Sequence, residues 1–116
     1  MLLNLSFSPH ALHRARERRT PQGLLNNPEI IVEEGIIIPP KYISIWTKSS
    51  AASREPAVHV YCKGWTFVIE TKEKVVITVY QTRGKQAAYI QRTPVKKQVR
   101  LKDLIGSRLG LNLWAV

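Results

Sequence analysis

Three segments rich in β-branched and aromatic residues follow one another through the middle of the chain. They are AVHVYCK (57–63), WTFVIETK (65–72) and KVVITVYQT (74–82). The connections between them are short, and Gly64 can serve the first turn. Strands joined by such short links usually pair as antiparallel neighbours. These segments therefore predict a three-stranded antiparallel meander.

The alternation within KVVITVY predicts which side chains share a face of the last strand. Side chains in a strand point alternately to opposite faces. We therefore expect Val75 and Val79 on one face of the sheet, and Val76 and Tyr80 on the other.

The stretch SPHALHRARERR opens with the signals of a helix start. Ser8 suits the N-cap, and Pro9 suits the first helical position because its missing N–H has no partner there in any case. We predict a helix over residues 9–19, ended by Thr20 because a residue before proline avoids the α region. A second, short helix is predicted over residues 21–26.

The remaining segments are less regular. EIIVEEGIII (29–38) and KYISIWTK (41–48) are predicted as strands, and SSAASREP (49–56) as a polar loop. KQAAYIQRT (85–93) fits either a strand or a helix. The apolar spacing in VKKQVRLKDLIGSRLG (95–110) predicts a helix.

This order of elements predicts an α+β protein, with the N-terminal helices packed on one face of an antiparallel β-sheet. The chain has 116 residues, which fits a single domain over residues 1–116. Residues 83–116 then form a basic C-terminal segment of the same domain, which we expect to be helical.

Charge is distributed unevenly along the chain, whose formal net charge is +10. Residues 1–20 carry four arginines against Glu17, and residues 21–40 carry three glutamates and no cation. Residues 83–116 carry eight basic side chains against Asp103. Two basic ends around an acidic segment predict a polyanionic partner, most often nucleic acid. Solubility, or a protein partner with an acidic face, would also explain the charge.

Several classes of protein are not expected. No apolar run approaches the ~20 residues needed to span a bilayer, so we expect no membrane partner. The N-terminus has no basic region before its apolar residues, so we expect a cytoplasmic location. Cys62 is the single cysteine, so no internal disulfide can form. The three histidines lack H-x-x-x-H spacing, so we expect neither a metal nor another cofactor.

The predicted first helix carries a candidate site. His10, Arg14 and Arg18 are spaced i, i+4 and i+8, which places them along one helix face. An imidazole can accept a proton near neutral pH, and guanidinium groups bind phosphate and stay charged. Such a set suits metal-independent cleavage of RNA, in which a base activates the ribose 2′-hydroxyl and cations stabilise the phosphate charge. A solvated basic face is the alternative interpretation.

The stretches SPHALHRARERRTPQGLLNNPEIIVEEG and VHVYCKGWTFVIETKEKVVITVY together resemble the DUF4258 family. The family's first helix has the pattern H-A-x-x-R-x-x-x-R, and its strands end in a segment like VITVY. The helix pattern is matched position by position by His10, Ala11, Arg14 and Arg18. Arg19 stands where the family usually has glycine. The resemblance covers roughly residues 5–82.

This family is similar to the BrnT and RelE toxins, in the broader group of barnase-, EndoU- and colicin-like folds. The resemblance implies a RelE/BrnT-like fold and a metal-independent, toxin-like ribonuclease. His10 would be the general base or acid, and Arg14 and Arg18 would stabilise phosphate. Tyr80, at a strand end, would stack on a base or donate a proton. An acidic antitoxin or immunity protein is the implied partner, because a free nuclease would harm its host.

Further basic side chains are candidates for contact with RNA. They are His13, Arg16, Arg83, Lys85, Lys96, Lys97 and Arg100. Two other functions use the same surface. One is a non-enzymatic nucleic-acid-binding or regulatory protein, and the other is an interaction module that binds an acidic protein. His59 is expected to have a structural role in its strand.

Overall fold

The computed structural model describes residues 5–43, 57–71 and 73–105. The strands are β1 (Ser6–Phe7), β2 (Ile36–Ile38), β3 (Ala57–Cys62), β4 (Trp65–Glu70) and β5 (Val75–Gln81). The helices are α1 (Pro9–Glu17), α2 (Gln22–Asn26), α3 (Glu29–Glu34), α4 (Gly84–Arg92) and α5 (Leu101–Ile105). Short 3-10 turns occur at Pro40–Tyr42 and Val95–Lys97. The predicted α+β class is confirmed at this level.

The strands form one mixed sheet in the order β1-β5-β4-β3-β2. The meander from β3 to β5 is antiparallel, as predicted, and β2 pairs antiparallel with β3. The sheet as a whole is not purely antiparallel, because β1 lies parallel to the start of β5. Only Val75 and Val76 of β5 have partners in β1. Backbone groups farther along that edge of β5 therefore need hydrogen-bond partners from outside the sheet.

A β-bulge in β5 overturns the predicted alternation of its side chains. Val68 pairs with Thr78 and Ile69 pairs with Val76, so Ile77 is left out of register. The extra residue shifts the faces by one position. Val76 and Val79 are consequently both fully buried in the same core, although simple alternation places them on opposite faces.

Helix α1 lies against β5 and completes that core. Ala11 and Ala15 are its buried residues, and both are completely inaccessible to solvent. Their small side chains let the helix backbone approach the sheet closely. The predicted start is confirmed: Ser8 is the N-cap, and its Oγ accepts a hydrogen bond from the backbone N–H of Ala11 at 3.0 Å.

Helix α1 ends slightly earlier than predicted, in a Schellman motif. The N–H of Arg19 bonds the carbonyl of Arg16 at 3.2 Å, and the N–H of Thr20 bonds the carbonyl of Ala15 at 2.9 Å. The motif needs a left-handed residue, and Arg19 supplies it with φ of 58°. Arg19 therefore holds a backbone conformation that glycine adopts more readily.

The strand predicted over residues 29–38 is wrong in its first part. Residues Glu29–Glu34 form α3, and only Ile36–Ile38 is a strand. Ile31 is buried and the glutamates of α3 are exposed, so tertiary packing overrides the β preference of the isoleucines. Gly35 makes the change of direction possible, because a Cβ there would overlap the carbonyl oxygen of Ile31 and the side chain of Val60.

The strand predicted over residues 41–48 begins instead as the turn Pro40–Tyr42, because Pro39 and Pro40 favour a tight turn there. The rest of that segment and the predicted loop 49–56 lie outside the described residues. KQAAYIQRT is helical, as part of α4.

The basic C-terminal segment continues from α4 onto the edge of the sheet. Arg100 forms an antiparallel bridge with Ile36 in β2. Backbone hydrogen bonds join Ile37 N–H to the carbonyl of Val99 at 2.7 Å, and Leu101 N–H to the carbonyl of Gly35 at 3.0 Å. The helix predicted over residues 95–110 is therefore wrong before Leu101, because the chain there forms a 3-10 turn and then pairs with β2. Helix α5 begins at Leu101, and residues 106–116 lie outside the described part of the chain.

Candidate functional site

The exposed side of α1 carries His10, His13, Arg14 and Glu17. Arg14 Nη1 lies 2.9 Å from Glu17 Oε1, and His13 Nε2 lies 3.6 Å from the same oxygen. The two predicted phosphate contacts Arg14 and His13 therefore share one carboxylate partner. Both pairs are exposed to solvent, so an RNA phosphate could compete with Glu17 for Arg14 at little cost in free energy.

Arg18 reaches from the end of α1 to the sheet. Its guanidinium donates a hydrogen bond to the backbone carbonyl oxygen of Val79, 61 positions along the chain. That carbonyl lies on the edge of β5 beyond the two residues that pair with β1. The contact satisfies an edge carbonyl and anchors α1. Because a guanidinium has five N–H donors, others remain for a phosphate oxygen.

His10 is exposed one residue after the start of α1. Among the described residues, none forms a hydrogen bond or ion pair with its side chain. Catalytic bases are commonly oriented by a third group. Among the described residues no such group orients the His10 ring, because His10 lies on an open helix surface.

Tyr80 lies on the face of the sheet opposite α1. The register pairs Tyr80 with Thr66 and Val79 with Phe67, and Val79 and Phe67 belong to the core under α1. Adjacent strand residues point to opposite faces, so Tyr80 points away from that core. The structure therefore does not bring Tyr80 together with His10, Arg14 and Arg18.

Tyr80 belongs instead to a buried polar cluster on this second face. Its hydroxyl lies 3.0 Å from Nδ1 of His59, and Gln86 Nε2 donates to the hydroxyl at 2.9 Å. Thr66 Oγ1 donates to Gln86 Oε1 at 3.3 Å and lies 2.7 Å from Thr82 Oγ1. We call His59, Thr66, Tyr80, Thr82 and Gln86 the polar cluster.

Burial controls the ionisation of the polar cluster. His59 is 5% exposed, and desolvation lowers its pKa from 6.5 to about 4. Desolvation also raises the pKa of Tyr80, more than the hydrogen bonds from Gln86 and Thr66 lower it. His59 is consequently neutral at physiological pH. Its Nδ1 can accept a hydrogen bond from the Tyr80 hydroxyl, while the oxygen of that hydroxyl accepts one from Gln86 Nε2. Such an arrangement suits a rigid structural element, in line with the structural role expected for His59.

The basic side chains from Arg83 onward form the least compensated charge in the described chain. Residues 83–102 contain seven lysines and arginines and no acid. Lys85, Lys96 and Lys97 are exposed. Arg83 donates to Gln81 Oε1 at 2.7 Å, and Arg100 is half-buried beside its bridge to β2. Within the described ranges, the salt bridges involve cations of α1 and Lys63, and none uses a cation of residues 83–102.

Other chemistry is not indicated by the described residues. They hold no group of three or more His, Cys, Asp or Glu side chains placed to bind a metal ion. Cys62 is buried, and desolvation together with Glu34 raises the pKa of its thiol to about 11, which keeps it protonated and poorly nucleophilic. No helix in this part of the chain is long and apolar enough to cross a membrane.

One aromatic pair had no signal in the sequence. Tyr42, in the turn after β2, packs against Tyr89 of α4, although 47 positions separate them. Gln86 was also missed, because its partners come from two strands and a distant turn. The only signal in the sequence was the i, i+3 spacing of Gln86 and Tyr89, which would place these two side chains next to each other on a helix.

No protein-family model, curated protein or solved structure matches the chain.

Proposed function

We propose that the chain is a metal-independent, toxin-like ribonuclease of RelE/BrnT-like fold, with its active site on the exposed side of α1. One observation carries the proposal. Helix α1 is fixed to the sheet at both ends, by the hydrogen bond from the Ser8 N–H to the Val76 carbonyl and by the Arg18 contact with Val79, and it presents His10 and Arg14 to solvent. The match of His10, Ala11, Arg14 and Arg18 to the family's helix pattern supports the same assignment.

In this proposal His10 accepts the proton of a ribose 2′-hydroxyl. The 2′-oxygen then attacks the neighbouring phosphorus, and the bond from phosphorus to the 5′-oxygen breaks. The products are a 2′,3′-cyclic phosphate and a 5′-hydroxyl that takes a proton from water. Arg14 and the free donors of Arg18 stabilise the negative charge on the phosphate in the transition state. Tyr80 has no part in this step, because it lies on the other face of the sheet.

RNA is held by the basic side chains outside α1 as well. Lys85, Lys96 and Lys97 are exposed and have no acidic partner among the described residues, so binding them to phosphate costs no existing ion pair. Affinity for RNA should fall steeply as salt rises, because each phosphate contact releases counterions. The same basic surface would bind an acidic antitoxin or immunity protein.

The test is incubation of purified protein with total RNA in the presence of EDTA. Wild type and a Leu12→Ala variant should cleave, whereas His10→Ala should not. Leu12 is an exposed neighbour on the same helix, so its substitution controls for damage to α1. Loss of cleavage on adding EDTA would reject the metal-independent scheme, and cleavage by His10→Ala would remove His10 from it.

A second candidate function is RNA binding without cleavage. Its support is that His10 has no partner among the described residues to orient its ring, whereas the cations after Arg83 are well placed for phosphate. This function predicts a gel shift with intact RNA that His10→Ala leaves unchanged. An interaction module for an acidic protein would instead show no RNA affinity at physiological salt.

A further inference from the structure

Tyr42 and Tyr89 form an aromatic pair on the side of the molecule that carries α4. Their ring centroids are 5.1 Å apart, and the rings are inclined by 37°. Both residues are partly exposed. The ammonium of Lys41 lies 5.2 Å from the centroid of the Tyr42 ring. A partly exposed pair of tyrosines next to a lysine has the composition of a surface on which nucleic-acid bases stack.

The pair is held in place by the polar cluster. Gln86 is 7% exposed, and its Nε2 donates to the backbone carbonyl oxygen of Tyr42 at 3.3 Å as well as to the Tyr80 hydroxyl at 2.9 Å. Gln86 also lies one helical turn before Tyr89. One buried side chain therefore fixes the turn that carries Tyr42 and the helix that carries Tyr89, so the two rings are ordered before any ligand arrives.

Exposed cations lie on the same two elements as the pair. Lys85, Tyr89 and Arg92 are spaced i, i+4 and i+7, which places them on one side of α4. Lys41, Lys85 and Arg92 are all exposed. Neither α4 nor the turn Pro40–Tyr42 contains an acidic residue, so these cations have no acidic partner within their own elements. Aromatic faces flanked by cations match a single strand, whose bases are free to stack while its phosphates meet the cations.

We propose that Tyr42, Tyr89, Lys41, Lys85 and Arg92 form a binding platform for single-stranded RNA. A base extends the stack of the two rings, and the flexible side chain of Lys41 moves from Tyr42 onto a neighbouring phosphate. The inference rests on the proposed action on RNA and adds that the substrate is single-stranded where it meets α4. In a duplex the bases are already stacked on each other and cannot reach these rings.

The experiment measures binding of a short 2′-O-methyl oligouridylate, which lacks the 2′-hydroxyl needed for cleavage. Fluorescence anisotropy compares wild type with Tyr89→Phe and Tyr89→Leu, and each protein is also titrated with heparin and a short RNA duplex. Phenylalanine keeps the aromatic face, and leucine removes it. We expect Tyr89→Phe to bind as wild type does and Tyr89→Leu to bind the oligouridylate about tenfold more weakly. Binding of heparin should be the same for all three.

Four other binding results would overturn the platform. Equal binding by Tyr89→Leu would reduce the pair to packing between the turn and α4. Circular dichroism of Tyr89→Leu shows whether weaker binding comes instead from loss of the fold, which would overturn the assignment of that loss to the ring. If Tyr89→Leu lost affinity for oligouridylate and heparin alike, the substitution would have weakened binding of polyanions in general and not stacking of a base. Wild type that binds duplex as well as single strand overturns the platform but leaves the RNA proposal standing. If wild type binds neither duplex nor single strand, the platform and the RNA proposal are both overturned. Binding at the platform without cleavage overturns only the ribonuclease.

Discussion

The guanidinium of Arg18 at the end of α1 is hydrogen-bonded to the backbone carbonyl of Val79 in β5. The strand β1 pairs only with the first two residues of β5, and Arg18 satisfies a carbonyl on the edge that remains. A residue chosen from the sequence as a phosphate ligand thus also connects the helix to the sheet. Its position determines where the exposed side of α1, with His10, lies relative to the rest of the molecule.

Replacement of Arg18 by methionine should destabilise the fold, because the Val79 carbonyl loses a charged donor. We expect a loss of about 1–2 kcal/mol in the free energy of unfolding, below the full value of a charge-assisted bond because the site is only partly buried. Urea denaturation measures it. Arg16→Met, at an exposed position of the same helix, is the control and should change stability by less than about 0.5 kcal/mol. Equal losses in the two variants would contradict the structural role of Arg18.

Arg19→Gly should stabilise the protein. Arg19 has φ of 58°, a left-handed conformation that strains a residue with a Cβ and suits glycine. The expected gain is about 0.5–1 kcal/mol, smaller than the whole strain because glycine also increases the entropy of the unfolded chain. Arg16→Gly, inside α1, should instead cost about 1 kcal/mol. Thermal unfolding of both variants decides, and a destabilised Arg19→Gly would show that the Schellman motif is not formed.

Gly35→Ala should be strongly unfavourable. Its new Cβ would overlap the Ile31 carbonyl oxygen and the side chain of Val60, so α3 would have to move from the sheet. Overpacking of this kind typically costs about 1–3 kcal/mol. Gly23→Ala is the matched control: no atom lies within 4 Å of a Cβ there, and alanine favours helix α2. Chemical denaturation of the pair should show opposite signs, and a neutral Gly35→Ala would refute the close approach.

Stability should fall in mild acid because of His59. Burial lowers its pKa from 6.5 to about 4, so between these values the unfolded chain binds a proton that the folded chain does not. Protons then favour unfolding, and the loss should approach about 3 kcal/mol at the lower end of this range. The loss is complete once the pH passes below the folded pKa.

His59→Asn removes this titration and keeps a group that can accept from Tyr80. The free energy of unfolding of both proteins is measured in urea at about pH 7 and about pH 4. Carboxylates titrate alike in the two proteins, so the difference between them isolates His59. Identical pH dependence of wild type and variant would show that His59 is not held neutral by burial.

The sequence predicted the regular parts of this fold and missed those that depend on distant contacts. The meander of β3, β4 and β5 and the start of α1 follow from local alternation and capping. The bulge at Ile77 adds one residue to one strand, and the pattern of residue types in the sequence does not reveal it. The helix Glu29–Glu34 contains three strand-favouring residues in a row, Ile30, Ile31 and Val32, and only the packing of Ile31 in the folded core shows that it is a helix.

The candidate site was predictable in the same uneven way. Spacing on a helix was enough to group His10, Arg14 and Arg18, because all three lie in one element. It was not enough to place Tyr80, whose face depends on the bulge in β5. The pairing of Tyr42 with Tyr89 depends on a turn and a helix that meet only in the folded chain.

The most direct test of the account uses an oligonucleotide with a 2′-O-methyl group on every nucleotide except one, which keeps its 2′-hydroxyl. Incubated with wild type in EDTA, it should be cut only after that nucleotide, leaving a 2′,3′-cyclic phosphate identified by mass spectrometry. His10→Ala should leave it intact, and Leu12→Ala should cut it. An oligonucleotide left intact by wild type, or cut equally by His10→Ala, would contradict RNA cleavage by His10 on α1.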